Sequence, residues 1–211
     1  MMANDINELT ESRSEETKAR IFDTTTNLVE LHGIDSLTVR KIADESNVSP
    51  ALIIQYFGSK DKLLQQIFEL RNIPFIKEMK AKFQSEMQWD VYELFMWISE
   101  HLLERDLATP RLTLQVMAYS FRWDEAEEES FLGRLNLMLD LMVSGLMKTA
   151  PLLSKEFAQD SIMSFLLCYA QSSRIILQRK MSKEEGMSFL QRHVRIIANG
   201  VMAEDEVRQV S

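Results

Sequence analysis

The stretch Ser36-Leu37-Thr38-Val39-Arg40-Lys41-Ile42-Ala43-Asp44-Glu45-Ser46-Asn47-Val48-Ser49-Pro50-Ala51-Leu52-Ile53-Ile54-Gln55-Tyr56-Phe57-Gly58-Ser59-Lys60 decides the fold. Thr38 stands where a hydroxyl can cap a helix whose Val39, Ile42 and Ala43 face inward. Asn47 suits the turn that follows, because it tolerates left-handed backbone. Ser49 then caps a second short helix. Pro50 takes its first position, where a missing N–H costs nothing and the fixed φ already matches a helix. Gly58 and Ser59 stop that helix, and Ser59 caps the next. Two short helices, a tight turn and basic residues in so little chain read as a helix-turn-helix of the kind that reads DNA.

Outward from this stretch the pattern stays helical. Residues 15–32 place Ile21, Phe22, Thr25, Leu28, Val29 and His32 on one face, and Gly33 ends that helix as a C′ glycine. Residues 1–14 are polar and are expected to be disordered. Downstream, Leu63, Leu64, Ile67 and Phe68 extend the apolar face until Pro74, where the helix either kinks or gives way to a new one. The domain boundary belongs here, giving a helix-turn-helix domain over 15–72. Five more helices are expected at about 89–105, 110–122, 125–149, 155–180 and 182–204. They form a second domain over 73–204 with a flexible tail at 205–211. With six Gly, four Pro and no alternating strand pattern in 211 residues, the fold class is all-α with about nine helices.

The net charge of −8 and an isoelectric point near 5.0 argue, taken alone, against nucleic acid. Distribution matters more: residues 13–62 carry seven basic and eight acidic side chains and net only −1. Modest DNA affinity per protomer follows, with two protomers needed. The single cysteine, Cys168, excludes an internal disulfide. The polar N-terminus is no secretory signal, and the uncharged run 161–173 is too short for a membrane span. A cytoplasmic protein with no membrane partner is expected.

From Lys18 to Leu64 the chain resembles the DNA-binding domain of the TetR family of transcriptional regulators. The residues carrying the resemblance are the helix ending in His32-Gly33, Thr38-Val39-Arg40-Lys41-Ile42-Ala43, and Val48-Ser49 through Tyr56-Phe57-Gly58-Ser59-Lys60-Asp61-Lys62-Leu63-Leu64. Tyr-Phe-x-Ser-Lys is the most specific piece. The resemblance implies that the exposed face of the second short helix enters the major groove. With Ile53 and Phe57 turned inward, Ser49, Pro50, Ala51, Leu52, Gln55 and Tyr56 are left for that face, Gln55 suited to adenine and the apolar Pro50 and Ala51 to thymine methyls. Arg40 sits where family members often reach a base or phosphate. Thr38, Tyr56 and Lys60 look like phosphate contacts. Ile54 departs from the family pattern, which commonly has a hydroxyl-bearing aromatic there.

For the second region the resemblance implies a small-molecule pocket and a dimer surface. Candidate pocket residues are Trp97, His101, Tyr119, Trp123, Met138, Met142, Phe165, Cys168, Tyr169 and Ser172; Gln115, Asn136 and Gln171 are further polar groups among apolar neighbours. Ordinary bundle core is the competing reading for most of the aromatic and Met side chains. A mostly apolar or aromatic effector fits such walls, and thirteen Met residues would let them adapt. The run 161–173 is apolar on nearly every face, so one side should meet core and the other a partner protomer. The last helix would join it through Phe189, Leu190, Val194, Ile197 and Val201. The expected molecule is a homodimeric repressor on a pseudo-palindromic operator, released by its effector through a tilt of the helix before Pro74.

No catalytic constellation is present. His32, His101 and His193 are far apart, and there is no HExxH, phosphate loop or Cys/His metal spacing, so neither enzyme activity nor a cofactor is expected. The acidic run 124–129 reads as a solvated first turn complementing a helix N-terminus rather than a metal site. A helical protein-interaction adaptor and, behind it, a small helical enzyme using the second region are the alternatives.

Overall fold

The computed structural model describes residues 2–84, 89–119 and 125–210. Among them regular structure is helical: α1 (Met2–His32), α2 (Val39–Glu45), α3 (Pro50–Phe57), α4 (Lys60–Leu70), α5 (Ile73–Gln84), α6 (Val91–Ala108), α7 (Pro110–Tyr119), α8 (Glu125–Thr149), α9 (Lys155–Gln178) and α10 (Lys183–Val210), with one 3₁₀ turn at Ile34–Ser36. None of the described helices is long and apolar enough to cross a membrane.

Local chemistry sets most boundaries. Gly33 adopts φ 83° and donates its N–H to the Val29 carbonyl at 2.8 Å, closing α1. At Pro74 the chain breaks rather than kinks: α4 stops at Leu70, and α5 begins at Ile73 with Pro74 in its first turn, adding a helix to those expected. Asp90 rather than residue 89 opens α6, through a capping box with Glu93. Two ends differ from expectation. α1 begins at Met2, inside the stretch expected to be disordered; no Gly or Pro interrupts residues 2–32, so nothing in the chain stops the helix there. α10 runs on to Val210, and Asp205 on it accepts the Leu152 amide at 3.1 Å, a tertiary tie that sequence periodicity does not reveal.

The chain forms two compact units. One comprises residues up to Leu70 together with Arg111–Glu128; the other comprises Arg71–Pro110 and Glu129 onward. The chain passes between the units at 70/71, 110/111 and 128/129. The assignment of α7 changes, because it belongs with the N-terminal unit. There Leu112 and Val116 join Ile21, Val29, Ile42, Ile53 and Leu63 in one buried core. The second unit has its own core, built from α5, α6, α8, α9 and α10.

Candidate DNA interface and sensor core

In the N-terminal unit, Thr38 Oγ1 accepts the Lys41 amide at 3.1 Å and caps α2, and Ser49 Oγ accepts the Leu52 amide at 3.2 Å and caps α3. Between them Asn47 takes φ 52°. Ile53 and Phe57 bury one side of α3, and Phe57 meets the ring of Phe22 at 5.2 Å. That anchorage turns Pro50, Ala51, Ile54 and Gln55 outward, with Leu52 and Tyr56 half-buried at the edges. Thr38 and Ser49 are exposed as well, and each capping hydroxyl keeps its own proton for donation. The Arg40 side chain is 87% exposed, its Nε 4.0 Å from the Asp44 carboxylate.

Tyr56 and Lys60 sit differently from the six exposed candidates. The Tyr56 ring stands edge-on to Phe57, with the Lys18 ammonium 5.5 Å from its centroid. Lys60 Nζ donates to the Leu37 carbonyl at 3.3 Å, so it tightens the approach to α2. The long-range bond draws it back against its own domain, which sequence spacing cannot show. Gln115, grouped from sequence with the pocket, instead accepts the Ile34 amide at 2.7 Å within the N-terminal unit.

In the second unit, Trp97 and His101 on α6 join Phe75 and Phe83 of α5 and Trp89 in an aromatic cluster. The Trp97 and His101 rings lie 4.5 Å apart, and Phe75 stacks on His101 at 5.4 Å. His101 Nδ1 is 2.8 Å from the Trp97 carbonyl and Nε2 3.0 Å from the Glu78 carboxylate. Met138, Met142, Phe165, Tyr169 and Ser172 are buried in the bundle, Phe165 stacking on Phe95 at 4.6 Å. Cys168 is half-buried and Gln171 exposed on α9. Asn136 is exposed and lines, with Leu139, Asp140, Val143, Gln159, Ile162 and Met163, an open groove of about 250 Å³ between α8 and α9. The side chain of Tyr119, all of Trp123 and the side chains of the acidic run lie outside the described residues.

Sequence reading missed the most polar feature of this core. Asp106, 1% exposed, receives the Tyr169 hydroxyl at 2.8 Å and the Ser173 hydroxyl at 3.3 Å on one oxygen, and Arg105 Nη2 at 2.7 Å on the other. Arg71 reaches the same carboxylate at 3.6 Å and donates to the Arg105 carbonyl at 3.0 Å, while Arg105 also hydrogen bonds Asn72. Burial above all, and the adjacent carboxylate next, push the Tyr169 phenol well above its ordinary value near 10. A signal existed: Asp106 continues the stripe Val91, Leu94, Phe95, Ile98, Leu102 of α6, where an isolated carboxylate must find partners. Among the described residues no cluster of three or more His, Cys, Asp or Glu is placed to hold a metal ion.

The exposed apolar side chains also correct one expectation. On α10, Leu190, Val194 and Val201 are buried in the protomer's own core, with Phe189 and Ile197 half-buried. On α9 and α10 the large apolar side chains facing out are Met163, Leu167, 63% exposed, Ile196, 73% exposed, and Val207, 62% exposed.

Comparison with known proteins bears on this geometry. Residues 21–67 match the N-terminal domain of the family described as bacterial regulatory proteins, tetR family. No curated protein sequence matches the chain. Among solved structures, the fatty acid degradation regulator FadR from Bacillus halodurans aligns with a TM-score of 0.69 at 16% identity, over 86% of this chain and 98% of that one. FadR from Bacillus subtilis, in complex with stearoyl-CoA, gives 0.70 at 14% identity, over 86% and 98%. Thermus thermophilus FadR, a TetR-family transcriptional repressor in complex with lauroyl-CoA, gives 0.65 at 16% identity, over 85% and 92%. At such identities the likeness to solved structures carries the fold. The N-terminal unit thus matches the model of the tetR family over residues 21–67, and the chain shares the fold of these solved regulators.

Proposed function

We propose that this protein is a ligand-responsive transcriptional regulator that binds a pseudo-palindromic operator as a homodimer and represses until an effector releases it. The observation that carries this reading is the outward face of α3, with Pro50, Ala51 and Gln55 exposed on a helix whose opposite face is locked in the core. Gln55 reads adenine through paired hydrogen bonds, Pro50 and Ala51 meet thymine methyls, and Arg40 reaches a guanine or a phosphate. Thr38, Ser49 and Tyr56 donate hydroxyl protons to phosphates. Lys60 adds positive charge near the backbone while holding Leu37. Two protomers meet through α9 and α10, where Met163, Leu167 and Ile196 would otherwise stay in water.

The effector is mostly apolar or aromatic and enters among Trp97, His101, Met138, Met142, Phe165, Cys168, Tyr169 and Ser172. An acyl thioester, the class carried by two proteins of this fold, is the first compound to try. Arg71 and Asn72 directly follow α4 and are hydrogen bonded to α6. Displacement of α6 by a ligand would therefore pull on the end of α4, and the effector acts only as far as it prefers that displaced state.

A salt titration against duplex enriched from a randomised pool tests the reading. Binding that weakens steeply with ionic strength and saturates at two protomers per site is the expected result; a monomer indifferent to DNA in dilute buffer refutes it. Gln55→Ala is expected to cost about 1–3 kcal/mol at the adenine it reads and to relax preference there, whereas Tyr56→Phe weakens all sequences alike. Competition among duplexes substituted at single positions distinguishes the two patterns.

A further inference from the structure

We infer that Arg20 on α1 is a positioning residue for DNA reading: it fixes the α2–α3 turn, and with it the angle at which α3 presents its outer face. This rests on the DNA-reading proposal above. The turn creates a specific vacancy in backbone hydrogen bonding. Ser46 is the C-cap of α2 and is buried. In a continuing helix its carbonyl would accept the amide of residue 50, but residue 50 is Pro50, which has none. The neighbouring amides are committed elsewhere: Ser46 to the Ile42 carbonyl at 2.9 Å, Asn47 to Asp44 at 3.3 Å and Val48 to Ala43 at 3.0 Å. Arg20 Nε donates to the Ser46 carbonyl at 3.1 Å, from 26 residues upstream. Ser46 thus ends α2 with a carbonyl that none of these amides reaches, and α1 supplies a charged donor at the partly negative end of the helix. Asn47 takes φ 52°, so this bond holds a turn that passes through a sparsely used backbone region. Arg20 acts through the turn and needs no contact with a base.

The experiment compares wild type, Arg20→Ala and Arg20→Lys on two probes, a duplex enriched from a randomised pool by the wild-type protein and a scrambled duplex. It adds amide exchange at Asn47 and Val48 without DNA. Arg20→Ala is expected to lose about tenfold in affinity for the enriched duplex, the worth of one charged hydrogen bond. Its affinity for the scrambled duplex and its salt slope should stay unchanged while the turn amides exchange faster. Arg20→Lys, which keeps a donor, should recover most of the preference. An unchanged ratio between the two probes overturns the inference. So does a salt slope reduced by about one with both affinities lowered, which is the mark of a direct phosphate contact. If the wild-type protein retains no duplex, the DNA-reading proposal falls, and this inference with it; failure confined to the variants overturns this inference alone.

Discussion

Replacing Asp106 with alanine is expected to destabilise the bundle unit by about 3–5 kcal/mol, the cost of removing one partner from a buried charged network. The carboxylate sits where three kinds of donor converge: the guanidinium groups of Arg105 and Arg71, the Tyr169 phenol and the Ser173 hydroxyl. Alanine would leave two guanidinium groups, each less than one-fifth exposed, without their anion, and would strand the Tyr169 hydroxyl among apolar neighbours. Urea unfolding followed by fluorescence checks this, because Trp89 and Trp97 report on the bundle directly. A loss below about 1 kcal/mol, the range of exposed pairs, would show that the network is effectively solvated. Tyr169→Phe makes a milder comparison at about 1 kcal/mol, since Ser173 still reaches the carboxylate. The pH dependence has a definite sign. The Tyr169 phenol is pushed up in the folded protein, so the unfolded chain releases its proton first, near pH 10. The stability contributed is complete below that pH and falls as pH rises beyond it. Tyr169→Phe should remove that part of the alkaline loss.

The same network shows where sequence reading stops. Helices α2 and α3 were legible because their signals are local: a capping hydroxyl at Thr38 and another at Ser49, a proline suited to a helix start, and Ile53 and Phe57 four apart to bury one side. Each acts within about four residues. The role of Lys60 as a donor to Leu37, the clamp from Arg20 and the ties of Gln115 to Ile34 span 23, 26 and 81 residues, and no periodicity records them. The pocket candidates were legible only as a composition. Aromatic and sulfur side chains on amphipathic helices mark what will be buried, not which of them will be neighbours. Hence Trp97 and His101 fall in one aromatic cluster, while Phe165 stacks on Phe95. Asp106 is the intermediate case. Its place on the apolar stripe of α6 could have been read from the heptad-like spacing, but its partners on α9 and beside α5 could not.

The N-terminal unit cut at residue 72 is expected not to fold on its own, although its helix-turn-helix is complete in that fragment. The reason is α7. Leu112 and Val116 from this helix are fully buried in the N-terminal core, and their loss removes about 1.5–3 kcal/mol of apolar burial each. The polar ties go the same way. Pro110 at the start of α7 has no N–H, and the next two amides, of Arg111 and Leu112, are capped by the Glu30 carboxylate at 3.2 and 2.6 Å. Arg111 returns a hydrogen bond to the Leu31 carbonyl at 2.8 Å, and Gln115 takes the Ile34 amide. Without α7 the Ile34 amide loses its acceptor beside an opened core, a further cost of about 1–3 kcal/mol. Together these losses match the whole stability of a small domain, about 5 kcal/mol at the low end. The fragment should therefore give poorly dispersed amide spectra and no cooperative melt, whereas Leu112→Ala in the full chain should retain both at a cost of about 2–5 kcal/mol. A cooperatively melting 1–72 fragment would show that α7 merely rests against the reader. Failure of the fragment alongside a folded Leu112→Ala protein would show that a helix from the middle of the chain is part of the N-terminal core.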